Sequence, residues 1–415
     1  MHSTTNRSLP LPLALAVAAC LASCADGGKE DRPQSEVQIG KQNHVFGFLT
    51  LRGFGAFPVS QSEAFTDHFR LDLFTDSTFT VIRGSHTGSP SSYALETTGA
   101  LSLLNRGSGP EPTVVFLGAY GLEPGPSAAT DLFFTDRVST PNSPEVGFYV
   151  GTRIVDGQVE LGGAWHVLSL HAIFDETPTT PIPEANDIGR AAHGSIAIAP
   201  GAPGTSRPIS GSGSESDDAG GPRFVSFGGS IKNVLTSGEG DGTCELTLNY
   251  GTDARDVLAV ATGNATLGNL VLGLDSEPDD DEAGLVFMVR QFDPPGASAD
   301  PSKMDGRFLV GGHTLFVKPT NSGSDVFVGV VTLKEPGEPD SFRLDAVGNQ
   351  GIDFSYIGSY TLSPDGGMTI SISGTTETWF AAIDRSYNTL VFVDDFVEVR
   401  NIPELNIGFG VRRKD

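Results

Sequence analysis

An ordered set of features recurs in this sequence at a spacing far longer than any local motif. From Gly358 to Arg412 it reads GSYTLSPDGGMTIS, then TWFAAI, then TLVFVDD, then PELNIGFGVR. The same order appears upstream as SSYALETTGALSLL (91–104), VVFLGAY (114–120), TDLFFTD (130–136) and PEVGFYVGTR (144–153). A looser copy runs TCELTLNYG (243–251), VLAVATGNATLGNLVLGLD (257–275) and EAGLVFMVR (282–290). Tandem units therefore end at Arg153, Arg290 and Arg412, and a repeat this long has to be placed before any local structure is assigned.

Each unit reads as β-structure. In Leu405-Asn-Ile-Gly-Phe-Gly-Val411 the apolar residues alternate with Asn and Gly, the pattern of a strand with one buried face. Met368-Thr-Ile-Ser-Ile-Ser373 alternates in the same way, and Pro364-Asp-Gly-Gly367 before it supplies the chemistry of a tight reversal. Connections this short leave no room for crossover helices, so the strands are antiparallel. The last unit divides into eight strands, roughly 306–318, 325–333, 341–346, 352–362, 368–373, 377–383, 388–394 and 405–412. The expected organisation is a first unit at 44–153, a second at 154–291 and a third at 292–415. Within the second, PGAPGTSRPISGSGSESDDAGGP (200–222) has almost no apolar side chains, and its composition predicts disorder.

Residues 1–23 carry one charged side chain, Arg7, followed by the apolar run Leu11 to Ala22. That run is too short to span a bilayer and fits a signal peptide. It ends in Leu21-Ala22-Ser23-Cys24, which resembles the lipobox of bacterial lipoproteins. The resemblance implies that Cys24 is diacylated and becomes the mature N-terminus, anchored in a membrane by its lipid. An Asp directly after such a Cys favours inner-membrane retention; Ala25 holds that place, which favours the outer membrane. Residues 24–43, polar and without periodicity, read as a disordered tether.

With 51 Asp and Glu against 26 Lys and Arg, the net charge of −25 repels nucleic acid and anionic headgroups, so neither is an expected direct partner. Removal of Cys20 and acylation of Cys24 leave Cys244 without a disulfide partner. No nucleophile elbow, His-Glu-x-x-His, Cys-x-x-Cys or phosphate loop occurs in the mature chain, so catalysis and cofactors are not inferred. His166 and His171 are five apart on one presumed strand and face opposite ways, while the other histidines are scattered. The acidic run at 275–282 offers Asp275, Glu277, Asp279 and Asp281 as a weak Ca²⁺ candidate, without EF-hand order; a solvated hairpin tip is the plainer reading.

Eight antiparallel strands must resolve their edges, and closure into a small barrel does so completely. Gly163-Ala-Trp165 with Arg290, and Gly306-Arg-Phe308 with Arg412, resemble the Gly-x-Trp and late Arg of lipocalin-like barrels, packed together at the closed end. The resemblance implies the same closing role for these residues. The first unit lacks the Gly-x-aromatic start and offers only Arg153 opposite the region of His44 to Phe46. One closed ring of hairpins, or a six-bladed propeller, would show the same meander. By alternation Phe287, Val289, Phe409, Val411, Trp379 and Ile383 are expected to fill barrel interiors. Function is then expected on outer connections, including 121–130, 275–283 and 395–404. The reading is a lipid-anchored structural or interaction module for a protein or glycan partner, with carriage of a small apolar ligand inside a lipocalin-like barrel as the alternative.

Overall fold

The computed structural model describes residues 43–414 apart from 49–66, 106–112, 122–130, 137–146, 154–158, 174–187, 235–241, 276–281, 317–322 and several shorter stretches. One sheet contains β1 (Asn43–Phe48), β2 (Asp67–Leu73), β3 (Thr78–Arg83), β4 (His86–Thr87), β5 (Ser91–Leu95), β6 (Ala100–Asn105), β7 (Thr113–Tyr120), β8 (Asp131–Asp136) and β9 (Phe148–Arg153). A second set is β10 (Gly163–Ile173), β11 (Ile188–Ile198), β12 (Arg207–Asp217), β13 (Gly220–Asn233), β14 (Thr243–Tyr250), β15 (Asp253–Asn264), β16 (Leu267–Asp275) and β17 (Glu282–Arg290). The last holds β18 (Gly306–Phe316), β19 (Gly323–Glu335), β20 (Glu338–Gly348), β21 (Asp353–Leu362), β22 (Gly367–Ile372), β23 (Thr378–Ile383), β24 (Thr389–Asp394), β25 (Val397–Val399) and β26 (Ile402–Arg412).

The second set is a closed eight-stranded antiparallel barrel in sequence order. The third also closes, because β18 pairs with both β19 and β26, leaving β25 as a short hairpin arm on β26. The first is a nine-stranded sheet in the order β2-β1-β9-β8-β7-β6-β5-β3-β4, with β2 and β3 also paired. Strands of each set pair among themselves, so neither a single ring nor propeller blades describes the molecule.

Residues 200–222 depart from the expected disorder, since most of the segment is the β12–β13 hairpin of the middle barrel. Composition misled because pairing, not apolar content, holds this hairpin. Its interior-facing positions are Ile209, Gly211, Gly213 and Glu215, and Gly213 leaves room for the Phe227 ring, which a Cβ there would strike at 2.6 Å.

The interior is also not where the alternation suggested. Directly opposed residues share a sheet face, and Trp165 opposes Arg290, Val167 opposes Met288 and Ser169 opposes Val286. That parity sends Phe287 and Val289 outward, and Phe409 and Val411 likewise, whereas Trp379 and Ile383 do face inward. In β26 it is the glycine face that points in: a Cβ at Gly408 would enter the Phe392 ring, and Phe392 stacks on Trp379 with centroids 5.4 Å apart. Ala381, Phe342, Phe308 and Met304 complete that packed interior.

The outward apolar faces meet in a core common to all three strand sets. Phe133, Phe148 and Val150 of the first sheet, Leu170, Leu272 and Phe287 of the middle barrel, and Val391, Ile407 and Phe409 of the third form one buried cluster. Phe409 lies 5.5 Å from Phe287 and 6.5 Å from Phe133, centroid to centroid. Strands on this core are covered on both faces, as in β24, where every residue is buried. A Cβ at Gly311 would meet the Phe133 ring at 2.4 Å, so glycine there lets the first and third sets approach.

Candidate functional site

The strand sets run in the same sense, with their final arginines at one end. At that end Asp131, which begins β8, accepts from Thr152 Oγ1 at 2.9 Å and from Thr389 Oγ1, at the start of β24, at 2.6 Å. Between the second and third sets, His166 packs against Phe380 and its Nε2 lies 3.2 Å from the Asp365 carbonyl. These contacts align the three ends side by side.

Each closed barrel is sealed there by an arginine over an aromatic ring. The Arg290 guanidinium sits 4.6 Å from the Trp165 ring centroid, and Nη1 and Nη2 donate to the carbonyls of Gly162 and Glu160, both at 2.7 Å. Trp165 Nε1 donates to Leu161 O at 2.9 Å. Val159 and Leu161 are thereby held in the barrel interior as a plug. Burial lowers the Arg290 pKa to about 10, which leaves it a cation at neutral pH. In the third set Arg412 lies 5.5 Å from the Phe308 centroid and donates to the carbonyls of Lys303 and Tyr387 at 3.0 Å and to that of Asp305. Gly163 and Gly306 carry φ of 123° and 143°, and a Cβ at either would meet the arginine at 2.7 or 2.8 Å. That is why glycine starts both strands. Arg153 ends β9 opposite Asn43, and only its backbone is described.

The middle barrel also holds a polar cluster toward its other end. Tyr250 Oη donates to Ser169 Oγ at 2.9 Å and lies 3.2 Å from His171 Nε2. His171 Nδ1 is 3.5 Å from Asp275 Oδ2, and Arg255 Nη1 bonds the same oxygen at 3.2 Å. Glu215, held by Arg223 at 2.8 Å, closes the group. Serine, histidine and aspartate occur here together, but the tyrosine stands between Ser169 and His171, and Ser169, His171 and Asp275 are at most 2% exposed. Held almost wholly out of solvent, these side chains form a buried electrostatic tie across strands β10, β14, β15 and β16. Sequence reading passed over Ser169, Tyr250 and Arg255; the available signal was polar residues at inward parity, all at one end.

Asp275 therefore faces into the barrel with its carboxylate committed to Arg255 and His171, a correction to its place in the Ca²⁺ candidate; Glu277, Asp279 and Asp281 lie outside the described residues. Burial pushes its carboxyl up, but the His171 hydrogen bond and the Arg255 charge outweigh this and hold it below the usual range. His171 is pushed down to about 4, first by burial and then by Arg255. A histidine near 6.5 when unfolded and near 4 when folded leaves the unfolded chain holding more protons between those values. Unfolding free energy is therefore expected to fall as pH drops from about 6.5 to 4. Urea titrations across this window should show a shallower decline for His171→Gln than for wild type. Equal slopes would remove His171 as the cause.

The strands flanking the three expected outer connections are at different ends: β7 ends and β8 begins at the arginine end, whereas β16 ends and β17 begins, and β24 ends, at the opposite end; most of the connecting residues lie outside the described residues.

This geometry defines the class: tandem antiparallel β-barrels with filled interiors, fused through a common core. No protein-family model and no curated protein matches the chain. Among solved structures it is similar to the transferrin binding protein B double mutant of Haemophilus parasuis Hp5, at 10% identity and TM-score 0.30, covering 93% of this chain and 79% of that one. Intact Ap-TbpB (N and C lobes) is similar at 9% identity and TM-score 0.26, over 93% and 80%. The isotype 1 protein of serogroup B Neisseria meningitidis is similar at 11% and 0.26, over 93% and 79%. At these scores the likeness carries no argument about ligand or partner.

Proposed function

We propose that this chain is an exported lipoprotein, anchored through Cys24, whose barrels form one rigid platform for binding a protein or glycan partner. The observation that carries this reading is the filled interior. In the third barrel Trp379, Phe392, Phe342 and Phe308 are each at most 1% exposed and occupy the space a guest would need. An eight-stranded barrel is just wide enough for its own side chains or for one small ligand, not both. Fusion through the common core then holds the surface connections in a fixed relation, which lowers the ordering cost of binding. In this reading the first sheet is a third barrel, closed by the β2–β3 pairing and finished by Arg153.

A fluorescent fatty-acid or retinoid probe should show no saturable one-to-one binding to the delipidated mature protein. Saturable micromolar binding that is lost in Ala381→Phe would replace this reading with that of a ligand carrier. The anchor is tested separately: Cys24→Ala should move the protein from the membrane pellet to the soluble fraction and abolish labelling by a fatty-acid analogue. Persistent labelling of that variant would sink the assignment of Cys24.

A further inference from the structure

The middle barrel closes, yet one of its strands overshoots a neighbour. β13 runs for 14 residues and pairs with β14 only from Phe227, opposite Tyr250, onward. β14 ends there, because Tyr250 opposes Asp253 across the tight turn into β15. Gly220 to Val225 continue past that turn, roughly 20 Å of strand. On one side β12 pairs with this stretch, with Ser214 opposite Phe224 and Glu215 opposite Arg223. On the other side no strand among the described residues pairs with it.

The backbone of Phe224 faces that open side. Gly251 N donates to Ser226 O at 2.8 Å, so Ser226 directs its carbonyl toward β14. Alternate residues of an antiparallel strand direct their N–H and C=O the same way, which aims both groups of Phe224 past the end of β14. Its side chain lies on the outer face and is 80% exposed, more than any other large apolar side chain among the described residues. Glu215 holds Arg223 at 2.8 Å and Val225 is buried in the barrel, so the projecting stretch is fixed in place. Pro222, which has no N–H, keeps the open edge short.

We propose that this edge takes up an extended, basic-flanked peptide segment of a partner protein, which adds antiparallel to β13 as a further strand. An unpaired donor and acceptor on a rigid strand are completed by another extended backbone, and an apolar residue opposite Phe224 covers its ring. The net charge of −25 repels a second copy of this chain and draws a basic segment. The proposal rests on the platform reading, for which it names the class of partner.

The probe is a fluorescein-labelled heptapeptide of alternating threonine and valine with a lysine at each end, titrated by anisotropy into the delipidated mature protein. Saturable binding is expected, with slowed hydrogen exchange at the Phe224 amide. Phe224→Pro deletes an N–H that points outward and no bond within the barrel, so it should weaken binding about tenfold or more at an unchanged urea midpoint. Phe224→Ala keeps the backbone and should weaken binding severalfold. No saturable binding to wild type, equal affinity in Phe224→Pro, or a lowered midpoint in that variant overturns the proposal. So does a concentration-dependent dimer that Phe224→Pro abolishes, since a second copy then fills the edge. These outcomes leave the platform reading standing, which falls instead to saturable fatty-acid binding.

Discussion

Replacing Phe409 with alanine is expected to lower the unfolding free energy by about 3–5 kcal/mol, and to lower it for the middle and last barrels together. Phe409 sits on the outer face of β26, yet it is 0% exposed because Phe287 and Phe133 pack on it from the other strand sets. Truncation leaves a cavity that two neighbouring barrels cannot close without moving as bodies. The chain's two tryptophans make the experiment direct, since Trp165 lies in the middle barrel and Trp379 in the last. In Trp165→Phe and Trp379→Phe backgrounds, urea transitions read by the remaining tryptophan should coincide before the Phe409→Ala change and shift together after it. A shift confined to Trp379, or one below about 0.5 kcal/mol as at an ordinary surface site, would mean that the barrels unfold independently and that the common core contributes nothing.

Arg290→Met should cost about 3–6 kcal/mol, because two hydrogen bonds from a charged donor, each worth about 1.5–3, are lost together. The carbonyls of Gly162 and Glu160 lose their donor, and Trp165 loses the cation above its ring. The plug of Val159 and Leu161 is then free to leave, and water reaches the indole. The expected readout is a red shift of Trp165 emission in Trp379→Phe protein, with a lower urea midpoint. Arg290→Lys should not restore either, since an ammonium cannot serve both carbonyls while stacking on the ring. Full stability in the lysine variant would show that charge alone seals the barrel.

Several elements were legible because their signals are local. The alternation in Leu405 to Val411 and in Met368 to Ser373 marks β26 and β22, and Pro364 to Gly367 marks the turn before β22. Such patterns depend only on side-chain period and backbone preference, which a strand carries wherever it is placed. The glycines and aromatics at 163–165 and 306–308 could likewise be picked out, but not the carbonyls that their arginines bind. Those belong to segments whose proximity arises only when the barrel closes.

Other readings failed where the deciding partner lies far along the chain. Residues 207–217 look like linker, yet they have strands on both sides to pair with, and backbone hydrogen bonds do not depend on side-chain polarity. Asp275 looks like the start of a solvated acidic tip, yet Arg255 and His171 reach it across neighbouring strands. Antiparallel strands in repeated sets follow from short segments alone, because side-chain period and turn chemistry are local properties. Which face of each strand is the interior depends on what packs against it once the barrels form. In β26 both faces are buried, one against Phe392 inside the barrel and one against Phe287 of its neighbour, and a period of two distinguishes the faces without saying what covers them.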